Sequence, residues 1–131
     1  MIEQTELVIR TWIYHPPVNS TEEERKKISG TITLEVMRKR AGTKKGIACR
    51  FTTEFVIENE MILEYAAEDS YVIDLLDIID KHELHTMLRN SYSKCKEKFD
   101  FKKLDTILWN ESFPPFDEKK YDLDPALFLL Q

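Results

Sequence analysis

The sequence predicts an α+β fold: a four-stranded antiparallel sheet (a meander) with a long amphipathic helix and a short C-terminal helix. Three observations carry this expectation. Apolar and polar residues alternate from Thr31 to Tyr65, interrupted twice by turn signals, which is the period of half-buried strands. From His82 onward the apolar spacing changes to three and four residues, the period of a helix. Near the end, a proline-punctuated aromatic segment precedes a pattern that opens a helix.

Composition bounds the class. The 131 residues read as a single domain, 1–131, large enough to bury most of the surface its unfolded chain exposes. Apolar residues at 42% with 33% charged, and only 3 Gly and 5 Pro, indicate a folded chain rather than a disordered one. A net charge of -5 argues against a general nucleic-acid binder. No apolar run approaches the ~18 residues of a membrane span, so membrane insertion is not expected. The opening Met1-Ile2-Glu3-Gln4-Thr5-Glu6 lacks the basic and apolar regions of a signal peptide, which makes the cytoplasm the expected location. Cys49 and Cys95 are too few and too far apart for a disulfide framework or thiolate metal site and are expected to be small buried hydrophobes.

The first strand is expected between Glu6 and Tyr14, where Leu7, Val8, Ile9, Trp12, Ile13 and Tyr14 are β-formers. Apolar residues on both of its faces predict cover on two sides. His15-Pro16-Pro17 ends it, because proline cannot donate to a ladder. Val18 to Gly30 reads as a polar loop, with Asn19, Ser20 or Thr21 able to cap a short turn. Thr31 to Met37 then alternates, with Ile32, Leu34 and Val36 on one face and Thr31, Thr33 and Glu35 on the other. Arg38 to Gly46 is expected to be a basic turn, followed by a partner strand through Ile47, Cys49, Phe51, Thr53 and Phe55. Glu58-Asn59-Glu60 signals a second turn, and Met61, Leu63 and Tyr65 continue into a fourth strand. Consecutive strands joined by short turns tend to pair as neighbours.

After Glu68 the period changes, and Asp69 or Ser70 is able to cap a helix, with Tyr71-Val72-Ile73 as the end of the fourth strand the alternative. Leu75, Leu76, Ile78 and Ile79 suit a buried turn or two of helix. The long helix follows, its stripe formed by Leu84, Leu88, Tyr92, Cys95 and Phe99. Phe101 breaks the phase, so a kink or restart is expected before Leu104, Ile107 and Leu108. Ser112-Phe113-Pro114-Pro115-Phe116 cannot be helical and predicts an extended arm. Beyond Asp117-Glu118-Lys119-Lys120, Asp122 or Asp124 can cap a last helix with Pro125 in its first turn and Leu123, Leu127 and Phe128 on its apolar face.

The Phe113-Pro114-Pro115 element, the crossover, and Asp122-Leu123-Asp124 followed by Ala126-Leu127-Phe128 resemble the protein-export chaperone family SecB. The predicted element order resembles that family over nearly the whole chain. The resemblance implies an ATP-independent chaperone, a homodimer or homotetramer, whose crossover arm lines a groove for unfolded clients. Carried over by motif, Phe113, Pro114, Phe116 and Tyr121 would be client-binding residues, and Leu123, Leu127 and Phe128 would dock the last helix. The family usually continues through a longer final helix and a polar tail, whereas this sequence stops after Leu129-Leu130 at Gln131, which leaves a role in export open. The alternative on the same fold is a dedicated, partner-specific interaction protein, such as a toxin–antitoxin-associated chaperone or an adaptor.

An independent argument concerns apolar surface. Trp12, Tyr14, Tyr65, Trp109, Phe113, Phe116, Tyr121 and Phe128 are more large aromatics than one small layer is expected to hide. A surplus of this kind marks an oligomer interface or a binding groove.

Other chemistries find little support. His82-Glu83-Leu84-His85 spaces its histidines three apart, not four as in a zinc-protease helix, and reads as a surface helix start. No glycine-rich phosphate loop and no G-x-S-x-G elbow occurs, so neither an enzyme nor a cofactor or metal site is expected. Arg38, Lys39, Arg40, Lys44 and Lys45 form a basic cluster, but no aromatic residue interleaves them to stack bases, and they read as a solvated hairpin tip.

Overall fold

The computed structural model describes residues 3–4, 7–17, 27–41, 44–74 and 80–117. Strands β3 (Ser29–Ala41), β4 (Lys44–Ile57) and β5 (Glu60–Asp74) form consecutive antiparallel hairpins. Two N-terminal segments, β1 (Glu3–Gln4) and β2 (Val8–Tyr14), lie in succession along the outer side of β5. They act as one strand, so the sheet has four positions, with that strand beside β5 and β3 at the opposite edge. The long connection after Tyr14 frees the first strand from pairing with β3. It joins the three-strand meander beside its last member, a Greek-key order read backwards along the chain.

The hairpin strands are longer than the alternating runs alone predict. Pairing of β3 with β4 runs unbroken from Ser29↔Val56 to Ala41↔Lys44, so Arg38, Lys39, Arg40, Lys44 and Lys45 lie on paired strands and not in a basic loop. Ladder bonds are made by the backbone, and long cationic stems can cover apolar surface, so charged residues do not end the strand. Glu58 and Asn59 have φ of 48° and 66°, the two left-handed residues of a type I′ hairpin, as the turn signal predicts. The register between β4 and β5 shifts at Phe55/Val56, which turns Met61 away from the Leu63 and Tyr65 face and leaves it exposed. Tyr71, Val72 and Ile73 do finish β5, which makes Asp69 and Ser70 strand residues and not a helix cap.

The cap is Asp80, whose Oδ1 accepts the Glu83 N–H at 2.7 Å and starts α1 (Lys81–Lys102). The expected break after Phe99 takes the form of a single 3₁₀ turn, Lys103–Asp105. Phe101 and Leu104 face solvent around it, while Leu108 is turned fully inward. Residues 75–79, and the expected last helix with Tyr121, Leu123, Leu127 and Phe128, lie outside the described residues.

One face of the sheet meets α1. Ile47, Cys49, Phe51 and Phe55 of β4 and Leu63, Tyr65, Tyr71 and Ile73 of β5 pack against Leu84, Leu88, Cys95 and Phe99. Both cysteines are free and fully buried, as expected. Tyr65 Oη donates to the Cys95 carbonyl at 2.9 Å, and Tyr71 Oη donates to the Met87 carbonyl at 2.9 Å. Ser91 Oγ donates to Asp69 Oδ2 at 2.9 Å, with Lys94 Nζ 3.5 Å from Oδ1. These bonds tie the two tyrosines, Asp69 and Ser91 across the seam and set the height of the helix over the sheet, while the buried Thr53 Oγ1 on the same sheet face has no hydrogen-bond partner among the described residues. On the far face, Glu68 is clamped between Arg10 at 2.8 Å and Arg50 at 3.1 Å. Val8 and Ile13 on that side are exposed, so the first strand is half-buried on its helix-facing side, through Ile9, Trp12 and Tyr14, and is not covered on both.

Candidate polypeptide-binding groove

The arm after α1 is fixed from both ends. The Ile107 N–H donates to Tyr14 Oη at 2.9 Å, and Lys103 Nζ donates to the Glu111 carbonyl at 2.6 Å. Residues 111–117 then run without helix or strand structure, as the proline spacing predicts. Phe113 enters the core, its ring centroid 5.3 Å from Phe99, 5.4 Å from Tyr92 and 6.2 Å from Tyr65. Pro114 is also buried, and its carbonyl accepts from Tyr92 Oη at 2.7 Å. Burial raises the Tyr92 hydroxyl above the ordinary tyrosine range, partly offset by Lys96, so it stays a proton donor.

The arm crosses the sheet where β3 begins. A Cβ on Gly30 would lie 2.8 Å from Phe55 Cε1 and 3.1 Å from Pro114 Cγ, so only glycine lets the arm pass this close. Phe116 then rests edge-on against Phe51 at 5.2 Å and stacks on Tyr92 at 5.9 Å. Phe51 is paired across the ladder with Leu34. Phe116, Tyr92, Ile32, Leu34 and Val36 are each half-buried and together form an apolar ledge between the arm and the β3 edge.

The motif-derived residues therefore separate. Phe113 and Pro114 are core anchors that hold the arm, Phe116 keeps part of its ring on the ledge, and Tyr121 lies outside the described residues. The expected surplus of aromatic surface is smaller than the sequence implied. Tyr65 and Phe113 are buried, Trp12, Tyr14 and Phe116 are half-buried, and of those eight aromatics Trp109 alone is exposed among the described residues, at 61%. The arm explains this: it inserts Phe113 between helix and sheet, where rings stack on rings and one layer holds more than its area suggests. Trp109 borders a second cleft of about 470 Å³ with Tyr14, Ile28, Asp105 and Glu111.

The sequence places Ile32, Leu34 and Val36 on one face of a half-buried strand and Tyr92 in the helix stripe, without marking them as a partly open surface. Their apolar pattern is that of core residues; only the placement of β3 at an edge leaves them half open. His82 is exposed and His85 half-buried at the start of α1. Among the described residues no group of three or more His, Cys, Asp or Glu side chains converges on a metal-sized site. Among them, too, no helix is long and apolar enough to cross a membrane.

Comparison with solved structures identifies the fold. No family model matches the sequence, and no curated protein matches it. Among solved structures, the SecB-like chaperone of Mycobacterium tuberculosis in complex with a peptide from an antitoxin superposes with a TM-score of 0.51 at 8% identity, covering 88% of this chain and 86% of that one. A protein of unknown function from Streptococcus agalactiae aligns with a TM-score of 0.47 at 13% identity, over 89% of this chain and 97% of that one. The four-position antiparallel sheet under one long helix is the SecB-like fold.

Proposed function

We propose that the protein is an ATP-independent chaperone that holds unfolded polypeptide segments on the ledge between β3 and the arm. The observation that supports this most is the pairing of a fixed wall with an open apolar strip. Phe113 and the Tyr92–Pro114 hydrogen bond secure the wall, while Phe116, Leu34 and Val36 remain half-buried beside it. An apolar strip of this kind accepts many sequences, and holding a chain on it involves no bond-making step. The same reading has the protein acting in the cytoplasm as a homodimer or homotetramer, without catalysis, cofactor, nucleic acid or membrane insertion.

The test is light scattering of several chemically unfolded, reduced clients diluted into buffer with and without the protein. Slower aggregation at near-stoichiometric protein is expected. A well-folded protein that leaves every client unprotected overturns the proposal. A second reading keeps the ledge but gives it one dedicated partner. It is favoured by the fold neighbour from Mycobacterium tuberculosis, which is itself bound to an antitoxin peptide. Co-purification with one stoichiometric protein supports this reading; protection of many unrelated clients supports the first.

A further inference from the structure

Among the described residues β3 pairs only with β4 and ends the sheet. Its pairing shows no register shift over 13 residues, and from Thr31 to Met37 it carries neither proline nor cation. Edge strands are normally shortened, bulged or charged, because a long regular edge presents a row of N–H and C=O groups to any other strand. This edge borders the ledge directly, since Ile32, Leu34 and Val36 belong to both.

Resting on the reading of the ledge as a polypeptide site, we propose that the client binds by adding an antiparallel strand to the edge of β3 that no described strand occupies. Opposed residues in such a pair lie on the same face. On the helix-side face, Arg38 follows Val36, Leu34 and Ile32 in order; on the outer face, Glu35 stands between Thr33 and Met37. The client complementary to this order runs, from its N-terminus, acidic, any residue, apolar, basic, apolar, any residue, apolar. Its acidic residue meets Arg38, its basic residue meets Glu35, and its apolar residues extend the ledge.

A second copy of the chain fits the edge less well. Laid along the whole of Ser29–Ala41 about a two-fold axis, the strand would place Glu35 opposite Glu35. Directly opposed like charges destabilise a ladder. The occupant with complementary charge is a foreign segment.

The experiment is fluorescence anisotropy of the labelled peptide Asp-Thr-Val-Lys-Val-Thr-Ile with the full chain. Exchanging its charges, to Lys-Thr-Val-Glu-Val-Thr-Ile, is expected to weaken binding about tenfold. The double variant Glu35→Lys with Arg38→Glu, both exposed positions, should reverse that preference. N-methylating every second peptide nitrogen should abolish binding in one phase and spare it in the other, because alternate N–H groups face β3. Equal binding of both charge forms, or of both methylation phases, overturns strand addition. If clients are still protected in that case, the chaperone reading survives it; if they are not, both fall. Sedimentation of the chain alone checks the rival occupant: a dimer that the peptide splits would show a second copy on this edge and overturn the proposal.

Discussion

Tyr92 Oη and the Pro114 carbonyl oxygen lie 2.7 Å apart, joining the middle of α1 to the arm. The bond sits between two ring contacts of the same tyrosine, with Phe113 at 5.4 Å and Phe116 at 5.9 Å. Tyr92→Phe keeps the rings and removes only the bond. A loss of ~1 kcal/mol in urea unfolding is expected, the usual net worth of such a hydrogen bond. Hydrogen exchange should rise in residues 113–117 and not in β4. Exchange that rises evenly through the protein would show that the bond has no special hold on the arm.

Gly30 marks the place where the arm passes over the sheet. Gly30→Ala puts a methyl group 2.8 Å from an edge carbon of Phe55, a buried ring stacked on Phe99 at 5.3 Å. Neither neighbour is the far end of a flexible chain, so the ring or the arm must shift. Overpacking of this kind costs about 1–3 kcal/mol. Chemical denaturation of the variant measures it directly, and unchanged stability would mean that the arm does not cross β3 this closely.

The sheet, the long helix and the arm were legible in the sequence because each has its own period: two for the strands, 3.6 for the helix, and proline spacing for the arm. Three things were not. Strand ends were misplaced because Arg38–Ala41 and Lys44–Gly46 look like loop by composition, although these residues pair with one another or with Ile47 across the β3–β4 ladder. The cap at Asp80 was not singled out, because Asp69, Ser70 and Asp80 are all capping residue types and only the length of β5 chooses between them. The ledge was hidden for a topological reason. Leu34 and Phe51 carry the same alternating pattern, yet Phe51 is on a central strand and buried while Leu34 is on an edge and half open.

Cys49 and Cys95 offer a chemical probe of the core. Burial pushes both thiols up to about 12, from an ordinary value of 9.0, with the Asp69 carboxylate adding to the rise. A thiol held neutral in the fold ionises more readily once unfolded. Its contribution to stability is therefore fully present below pH 9.0 and is lost as pH rises toward about 12. Iodoacetamide at pH 8 should label neither cysteine in the native protein and both in urea, because the thiolate is the nucleophile. A cysteine alkylated in buffer as fast as a free thiol would contradict the packing of α1 on the sheet.

Phe113 and Phe116 stand three residues apart on one arm and are predicted to fail in different ways. Phe113 is 4% exposed, and its truncation to alanine opens a cavity among Tyr65, Tyr92 and Phe99. A loss of about 3–5 kcal/mol is expected, enough to unfold a marginally stable domain. Phe116 is half-buried, so Phe116→Ala should cost less than half as much and leave the circular dichroism spectrum intact. If the ledge holds clients, Phe116→Ala should nonetheless weaken protection of an unfolded client, while Phe113→Leu, which refills the core, should retain it. The informative comparison is therefore between two folded proteins, Phe113→Leu and Phe116→Ala, in the same light-scattering assay. Equal protection by both would move the client site away from the arm, because Phe116 is the arm's described ring on the ledge.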